Sequence, residues 1–209
     1  MNRKILLSAL LNLLLVTAAG AFQTNLHLTD VPAHPWDLIL TRPEANSVNV
    51  SVVAYQDSDA YIEFGGASGS YSSSTSSQAI LNGKSANFPI SGLQSNTRYF
   101  YRLRFRAAGT TNYSASQEYS FITRRPPGNS FRFVMQADSH LDENTDPNIY
   151  VRALQNMAAD NADFIVDLGD TFMTDKYTVY TDAYKQYIAQ RYYFGLLCPT
   201  TPLLFALGN

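Results

Sequence analysis

The sequence predicts an all-β sandwich followed by an α/β unit built on a parallel sheet. Short β-type segments separated by turn residues fill residues 36–123, and from residue 131 strand-like and helix-like segments alternate. A Pro-Pro-Gly sequence at residues 126–128 separates the two patterns, as is typical where a chain leaves one domain and enters the next. We therefore predict one domain over residues 22–125 and a second over residues 126–209.

The first 21 residues have the pattern of an export signal. Arg3 and Lys4 precede a mostly apolar run over residues 5–16, and a small-residue cleavage site follows at residues 19–21. The apolar run is shorter than the roughly 20 residues that a membrane span needs. We expect a periplasmic or secreted mature protein without a stable membrane anchor.

The composition argues against nucleic-acid binding and against a disulfide framework. The chain has 15 Lys and Arg against 17 Asp and Glu, and cleavage of the leader removes two of the basic residues. Nucleic-acid-binding domains present a basic face, so we expect no nucleic-acid partner. Cys198 is the only cysteine, which excludes an intrachain disulfide, and we predict that it is a small buried apolar residue.

The sandwich strands are predicted from alternation and from the turn residues between them. A Ser- and Thr-rich segment over residues 69–78 is predicted to be a loop or a solvated edge strand. The predicted strands cover residues 48–53 and 61–64, a short pairing within 79–90, and then residues 98–106 and 117–123.

The predicted strand over residues 98–106 has two faces of different chemistry. Period-2 alternation puts its arginines on one face and its aromatic and aliphatic residues on the core face. The arginine face is either an anion-binding stripe or a solvated face that covers the sheet, and burial alone explains the alternation. The arginines are Arg98, Arg102, Arg104 and Arg106, and the core residues are Tyr99, Tyr101, Leu103 and Phe105.

The turn before this strand resembles the turn into the sixth strand of fibronectin type III domains. In that family a Leu precedes the turn and a Tyr follows a Thr, and the corresponding residues here are Leu93, Thr97 and Tyr99. The resemblance implies a tyrosine corner, in which the Tyr ring fills the edge of the core and its hydroxyl bonds to the turn backbone.

The second domain is predicted to be a β-α-β-α-β unit with right-handed crossovers. Asp146 and Pro147 have the residue types of an N-cap followed by the first helical position. The predicted strands cover residues 131–137, 163–168 and 202–207, and the predicted helices cover 146–159 and 180–197.

Potential metal ligands follow each of these three strands. Asp138 and His140 come after the first strand, Asp170 after the second and Asn209 after the third. The carboxyl ends of parallel strands meet at one edge of a sheet, where ligands bind. Mixed oxygen and nitrogen ligands suit Zn, Mn or Fe, and two such ions can clamp a displacement at phosphorus.

In this arrangement residues 131–209 resemble the first part of a calcineurin-like metallophosphoesterase domain. That family carries Asp-x-His, Gly-Asp and Gly-Asn-His motifs in this order, and a fibronectin-like domain before the catalytic domain is similar to purple acid phosphatases. The resemblance implies a phosphate-ester substrate and two metal ions (Fe, Mn or Zn). It places Asp138 and His140 on the first metal, Asp170 as the bridge, and Asn209 on the second metal.

The sequence departs from the family pattern at two points, and each departure leads to an expectation. Met173 stands where purple acid phosphatases have the Tyr that colours their iron, so a purple colour is not expected. The sequence ends at Asn209, before the next His of the motif, so we expect an N-terminal fragment that is inactive alone and identify no catalytic residue beyond the ligands.

Two functions therefore stand at this stage. The first is an exported metal-dependent phosphoesterase, either a phosphatase or a phosphodiesterase. The alternative is a noncatalytic fibronectin-like module for binding or adhesion with a degenerate tail. The residues encoded after position 209 discriminate between them, because a His and an acidic residue there would continue the motif. The substrate, the choice of metals and the oligomeric state are left open by the sequence.

Overall fold

The computed structural model describes residues 29–141 and 145–207. The predicted leader at residues 1–21 and the predicted ligand Asn209 lie outside these ranges. The front part of the described chain contains nine strands. They are β1 (Trp36–Thr41), β2 (Ser47–Ala54), β3 (Ser58–Gly65), β4 (Ser73–Ser74), β5 (Gln78–Ile80), β6 (Ser85–Ser91), β7 (Arg98–Ala107), β8 (Ser114–Ala115) and β9 (Tyr119–Ile122).

These strands form two antiparallel sheets that enclose one hydrophobic core. The first sheet has the order β1-β2-β6, and the second has the order β4-β3-β7-β8 with β5 also paired to β3 and β9 to β7. The core takes Val50 and Phe88 from the first sheet and Ile62, Leu103 and Phe121 from the second, all at most 2% exposed. The predicted β-sandwich is therefore present.

One predicted pairing in the sandwich is wrong. Residues 79–90 do not form a pair of strands with each other, because β5 joins β3 while β6 joins β2 in the opposite sheet. The turn between them holds Gly83 at a φ of 70°, and its N–H donates to the carbonyl of Ala54 at 2.8 Å. This turn carries the chain across the core. Strand β4 is a fully exposed two-residue edge strand, as the Ser-rich composition predicted.

The predicted tyrosine corner is present. The backbone N–H of Gln94 donates to the Tyr99 hydroxyl at 3.0 Å, and the half-buried ring packs against the sandwich core. Its neighbour Leu93 is buried in the same core. The Leu-to-Tyr spacing therefore closes the turn before β7 in the way that the sequence pattern indicated.

Replacing Tyr99 with Phe is expected to lower the free energy of unfolding by about 0.5–1 kcal/mol, because one hydrogen bond to a partly exposed backbone amide is lost. Urea unfolding followed by circular dichroism would measure the change. Tyr113→Phe is a suitable control, since its hydroxyl bonds only to the exposed Ser77 in the described chain. An equal loss in both variants would contradict a special role for the corner.

The arginine face of β7 is a paired surface and not an open anion-binding stripe. Glu63 accepts from Arg102 at 2.5 Å and from Arg104 at 3.0 Å. Arg106 pairs with Asp59 at 3.0 Å. The guanidinium groups of Arg102 and Arg106 also lie over tyrosine rings. Two carboxylates thus pair with three of the four arginines, and Arg98 donates to the Ser120 hydroxyl at 2.9 Å, which favours the solvated-face interpretation.

The second part of the chain is a parallel α/β unit. Its elements are β10 (Phe133–Gln136), α1 (Pro147–Ala159), β11 (Phe164–Asp167), α2 (Tyr180–Phe194) and β12 (Leu203–Phe205). The sheet order is β10-β11-β12, and both pairings are parallel, as predicted. The Asp146 carboxylate caps α1 by accepting from the N–H of Asn148 at 2.8 Å, and Pro147 takes the first helical position. No helix in the described ranges has the length and apolarity to cross a membrane.

Strand β1 is buried on both faces and joins the two parts of the molecule. Leu38 and Leu40 point into the sandwich core, while Ile39 belongs to the core of the α/β unit. The N–H of Leu40 donates to the carbonyl of Cys198 at 2.9 Å. Cys198 is fully buried in the α/β core, as predicted, and burial raises the pKa of its thiol far above the usual value.

Candidate functional site

The loops that follow the three parallel strands lie side by side and are connected by backbone hydrogen bonds. The N–H of Asp138 donates to the carbonyl of Gly169 at 3.0 Å, and the N–H of Asp170 donates to the carbonyl of Leu207 at 3.3 Å. Two of the predicted ligands are thereby held at neighbouring strand ends. The chain at Leu207 also brings the end of β12 to the same edge of the sheet.

The backbone at the predicted ligands adopts a conformation that side chains usually avoid. Asp138, His140 and Asp170 have φ angles of 57°, 32° and 50°. A positive φ costs a non-glycine residue about 1 kcal/mol or more, and such residues concentrate at functional sites. Only six non-glycine residues of the described chain have a positive φ, so three of them at one edge is a local feature of this sheet.

Asp138 and His140 form a pair of potential ligands. Nε2 of His140 lies 3.4 Å from Oδ1 of Asp138, and the Asp138 side chain is 65% exposed. Nε2 of His140 is itself buried and has no hydrogen-bond partner among the described residues. The Thr145 hydroxyl donates to the carbonyl of His140 and holds this loop. A buried imidazole nitrogen without a partner beside a carboxylate fits the chemistry of a metal ligand.

The described side chains form only part of a metal site. Within residues 29–141 and 145–207, no three His, Cys, Asp or Glu side chains lie close enough together to hold a metal ion. Asp138 and His140 supply one oxygen and one nitrogen, and Asp170 lies on the adjacent loop. The predicted fourth ligand, Asn209, is outside the described residues. The donor types suit Zn, Mn or Fe, and the number of ligands is incomplete.

A buried carboxylate that the sequence analysis did not single out shapes the second loop. Asp167 ends β11 and is 0% exposed. Its carboxylate accepts from the N–H of Gly169 at 2.9 Å, from the Thr171 hydroxyl at 2.8 Å and from Nε2 of Gln136 at 2.7 Å. These three bonds hold the turn that presents Asp170. The signal in the sequence was an acidic residue inside the apolar run Phe164–Leu168.

The same network continues beneath the strand ends into the helices. The Tyr150 hydroxyl of α1 accepts from Nε2 of Gln190 in α2 at 2.6 Å and from Nε2 of Gln136 at 3.3 Å. Burial raises the pKa of the Tyr150 phenol, so it remains protonated near neutral pH. The candidate site therefore rests on a buried polar network that connects both helices with the first two strands.

Comparison with known structures finds the same fold in a larger protein. The structure of PhoD matches with a TM-score of 0.56 at 15% identity, covering 91% of this chain and 40% of that chain. This chain thus spans 40% of the length of the PhoD structure. At this identity the match shows a shared fold and leaves the activity open.

Two further matches concern the front part of the chain. The sensor domain of the anti-sigma factor RsgI4 from Pseudobacteroides cellulosolvens has a TM-score of 0.35 at 15% identity, over 46% of this chain and 93% of its own. The sixth fibronectin type III domain of human fibronectin type III domain containing protein 3 has a TM-score of 0.32 at 19% identity, over 49% and 97%. Both scores are too low to support an argument, so the fibronectin assignment remains a prediction. No protein-family model and no curated protein sequence matches the chain.

Proposed function

We propose that this chain is part of an exported metal-dependent phosphoesterase, with Asp138, His140, Asp170 and Asn209 as ligands in a two-metal site. The observation that carries the proposal is the arrangement of the three strand-end loops. Their backbones are hydrogen-bonded to one another, and the predicted ligands in the described part of the chain all have positive φ angles. The fold shared with PhoD agrees with the proposal.

The residues of the chain have distinct tasks in this proposal. Asp138 and His140 would hold one metal ion through a carboxylate oxygen and an imidazole nitrogen. Asp170 would contribute a carboxylate to both ions, and Asn209 would contribute an amide oxygen to the second. Asp167 positions Asp170 through its bonds to the turn and is not itself a ligand. Bound metal ions would supply Lewis-acid polarisation of the phosphoryl oxygens and a hydroxide at neutral pH.

Two further parts of the proposal come from the sequence. The basic and apolar leader motivates a periplasmic or secreted location. The resemblance to calcineurin-like enzymes motivates a phosphate ester as the substrate and Fe, Mn or Zn as the metals. The alternative of a noncatalytic binding module gains no support from the positive φ angles, because adhesion requires no strained carboxylates at a sheet edge.

Metal-dependent hydrolysis of p-nitrophenyl phosphate or its bis ester would test the proposal. The assay uses the longest protein in which this chain occurs, because the described residues supply only part of the ligand set of a metal ion. We expect turnover that EDTA abolishes and that Mn, Zn or Fe restores. The 209-residue chain alone is expected to show no turnover above that of its Asp138→Ala variant.

The control for this assay is a variant that changes charge without touching the strand ends. Asp182→Asn alters an exposed residue in the first turn of α2 and is expected to retain full activity. Asp138→Ala is expected to lose both activity and one equivalent of bound metal. An unchanged metal content and rate in Asp138→Ala would refute the assignment of this residue.

A further inference from the structure

A cavity lies between the front sandwich and the α/β unit. It has a volume of about 360 Å³, within the range of small-molecule sites, which also tend to lie at domain interfaces. One wall is the sheet β1-β2-β6 and the other is helix α2. The lining includes Ile39, Ser51, Phe172, Tyr184, Tyr187 and Arg191.

The guanidinium of Arg191 lines this cavity, and the protein provides hydrogen-bond acceptors for only some of its donors. Nη2 of Arg191 donates to the carbonyl and to the hydroxyl of Ser51 at 2.9 and 3.1 Å. Its Nε is buried without a hydrogen-bond partner, and no carboxylate of the described residues forms an ion pair with this guanidinium. Burial lowers the pKa of Arg191 from its usual value, and the nearby Asp37 carboxylate opposes this shift.

The nearest anion is already engaged elsewhere. Asp37 attracts Arg191 through space, but its carboxylate accepts from the Tyr55 hydroxyl and lies 3.0 Å from Nε2 of His34. Both contacts lie within the front part of the molecule, and no hydrogen bond joins Asp37 to the guanidinium among the described residues. Arg191 lines the cavity, and both of its hydrogen bonds to Ser51 come from Nη2, so Nη1 can donate to a ligand.

The walls of the cavity are mainly aromatic and aliphatic. Tyr187 and Phe172 are in ring contact with a centroid distance of 4.6 Å, and Ile39, Val53 and Phe194 supply aliphatic and aromatic surface. The hydroxyl groups of the cavity belong to Thr41, Ser51, Ser85, Tyr184 and Tyr187, and the Tyr184 hydroxyl donates to the carbonyl of Gly83. An apolar lining with one convergent cation selects a ligand that has an apolar body and a single anionic group.

We propose that this cavity binds a small organic anion with an aromatic body, whose carboxylate or phosphate group pairs with Arg191. The proposal does not depend on the phosphoesterase assignment, since none of the predicted metal ligands lines the cavity. The bound anion would contact Phe172, which lies two residues after Asp170. The cavity is therefore adjacent to the loop that contains Asp170 in the candidate metal site.

Titration calorimetry with benzoate and with the uncharged benzamide tests the proposal directly. We expect benzoate to bind at least about ten-fold more tightly than benzamide, since a charge-assisted hydrogen bond contributes enough for that ratio. Phenyl phosphate and inorganic phosphate are the further probes. Binding of phenyl phosphate in place of benzoate would identify the anionic group as phosphate. Inorganic phosphate binding as tightly as both would overturn the aromatic part of the proposal.

Arg191→Gln removes the charge and keeps an amide that can donate to Ser51. We expect this variant to weaken binding of the preferred anion about ten-fold or more. Lys185→Gln on the same helix removes an exposed cation outside the cavity and is expected to bind as the original protein does. Equal affinity of Arg191→Gln and the original protein would overturn the proposal.

A second variant keeps the test decisive if Arg191→Gln folds poorly. Ser85 is an exposed strand residue at the cavity, and Ser85→Trp would place a large ring at the opening. Ser85 pairs with Val53 in the sheet, whereas Ser51, which holds the guanidinium, pairs with Asn87. We expect Ser85→Trp to abolish binding with an unchanged circular dichroism spectrum. Retention of binding in Ser85→Trp, or the absence of binding by all four probes at millimolar concentration, would also refute the site.

Discussion

Asp170→Asn is expected to lower phosphoesterase kcat/KM by about 10³-fold or more in the protein that contains this chain, because a bridging carboxylate supports several kcal/mol of metal-dependent charge stabilisation. The substitution keeps the shape of the side chain and removes its negative charge. The N–H of Asp170 still donates to Leu207 at the end of the sheet, so the loop should keep its position. We expect the bound metal to fall from two equivalents to one or fewer.

The measurement pairs initial rates with metal analysis of the same samples. Asp175→Asn is the matched control, since this exposed acidic residue lies in the short 3₁₀ turn Thr174–Lys176 five residues further along the chain. Its activity and metal content should equal those of the original protein. Full activity in Asp170→Asn with two equivalents of bound metal would rule out the bridging role.

The order of elements in the α/β unit was predictable because each local signal agreed with the global fold. The Asp146-Pro147 pair predicted the start of α1 to the residue, and the apolar runs located all three parallel strands. The observed strands are shorter than predicted, since β12 covers only Leu203–Phe205. The position of a strand end depends on which backbone groups form hydrogen bonds with neighbouring strands. Those partners are distant in the sequence, so a local pattern does not predict them.

The crossing between β5 and β6 was not predictable from alternation. Residues on both sides of Gly83 have strand-type composition, which fits either a hairpin or a crossover. The choice is made by long-range bonds, such as that from Gly83 to Ala54, and by the burial of Phe88 against the opposite sheet. The contribution of Ile39 to the α/β core was also not predictable from alternation. A strand that is buried on both faces shows no alternation of apolar and polar residues.

The position of the proposed ligands was predictable, and the contacts that support them were not. Motif order placed Asp138, His140 and Asp170 at the strand ends, where the structure has them. The role of Asp167 depends on three bonds from residues as distant as Gln136, and no spacing rule reveals such a contact. The positive φ angles of these three residues are likewise visible only in the folded backbone.

The two faces of the parallel sheet are buried to different extents. This difference increases the share of the stability of the α/β unit that depends on the buried hydrogen-bond network around Asp167. Val134, Ile165 and Leu203 belong to the core beneath the helices, whereas Phe133 and Met135 are 47% and 57% exposed on the other side. Parallel sheets usually bury both faces. With apolar burial concentrated on one side, we expect the hydrogen bonds of Asp167 to contribute a large share of the stability of this unit.

Asp167→Ala is therefore expected to lower the free energy of unfolding of the α/β unit by about 3 kcal/mol or more, because two buried donors and one partly buried donor lose their acceptor at once. Hydrogen exchange at the β11 amides and thermal unfolding would measure this loss. Asp160→Ala, at an exposed position after α1, is expected to change the stability by less than about 0.5 kcal/mol.

Asp167→Asn separates the loss of bonds from the loss of charge. Its amide oxygen can still accept from the N–H of Gly169 and the Thr171 hydroxyl, and the Gln136 side chain can rotate to present its oxygen to the new amide. We therefore expect a smaller loss of stability than in Asp167→Ala, together with near-normal metal binding by the protein that contains this chain. Equal destabilisation by both variants would show that the charge of Asp167, and not its hydrogen bonds, holds the turn at Asp170.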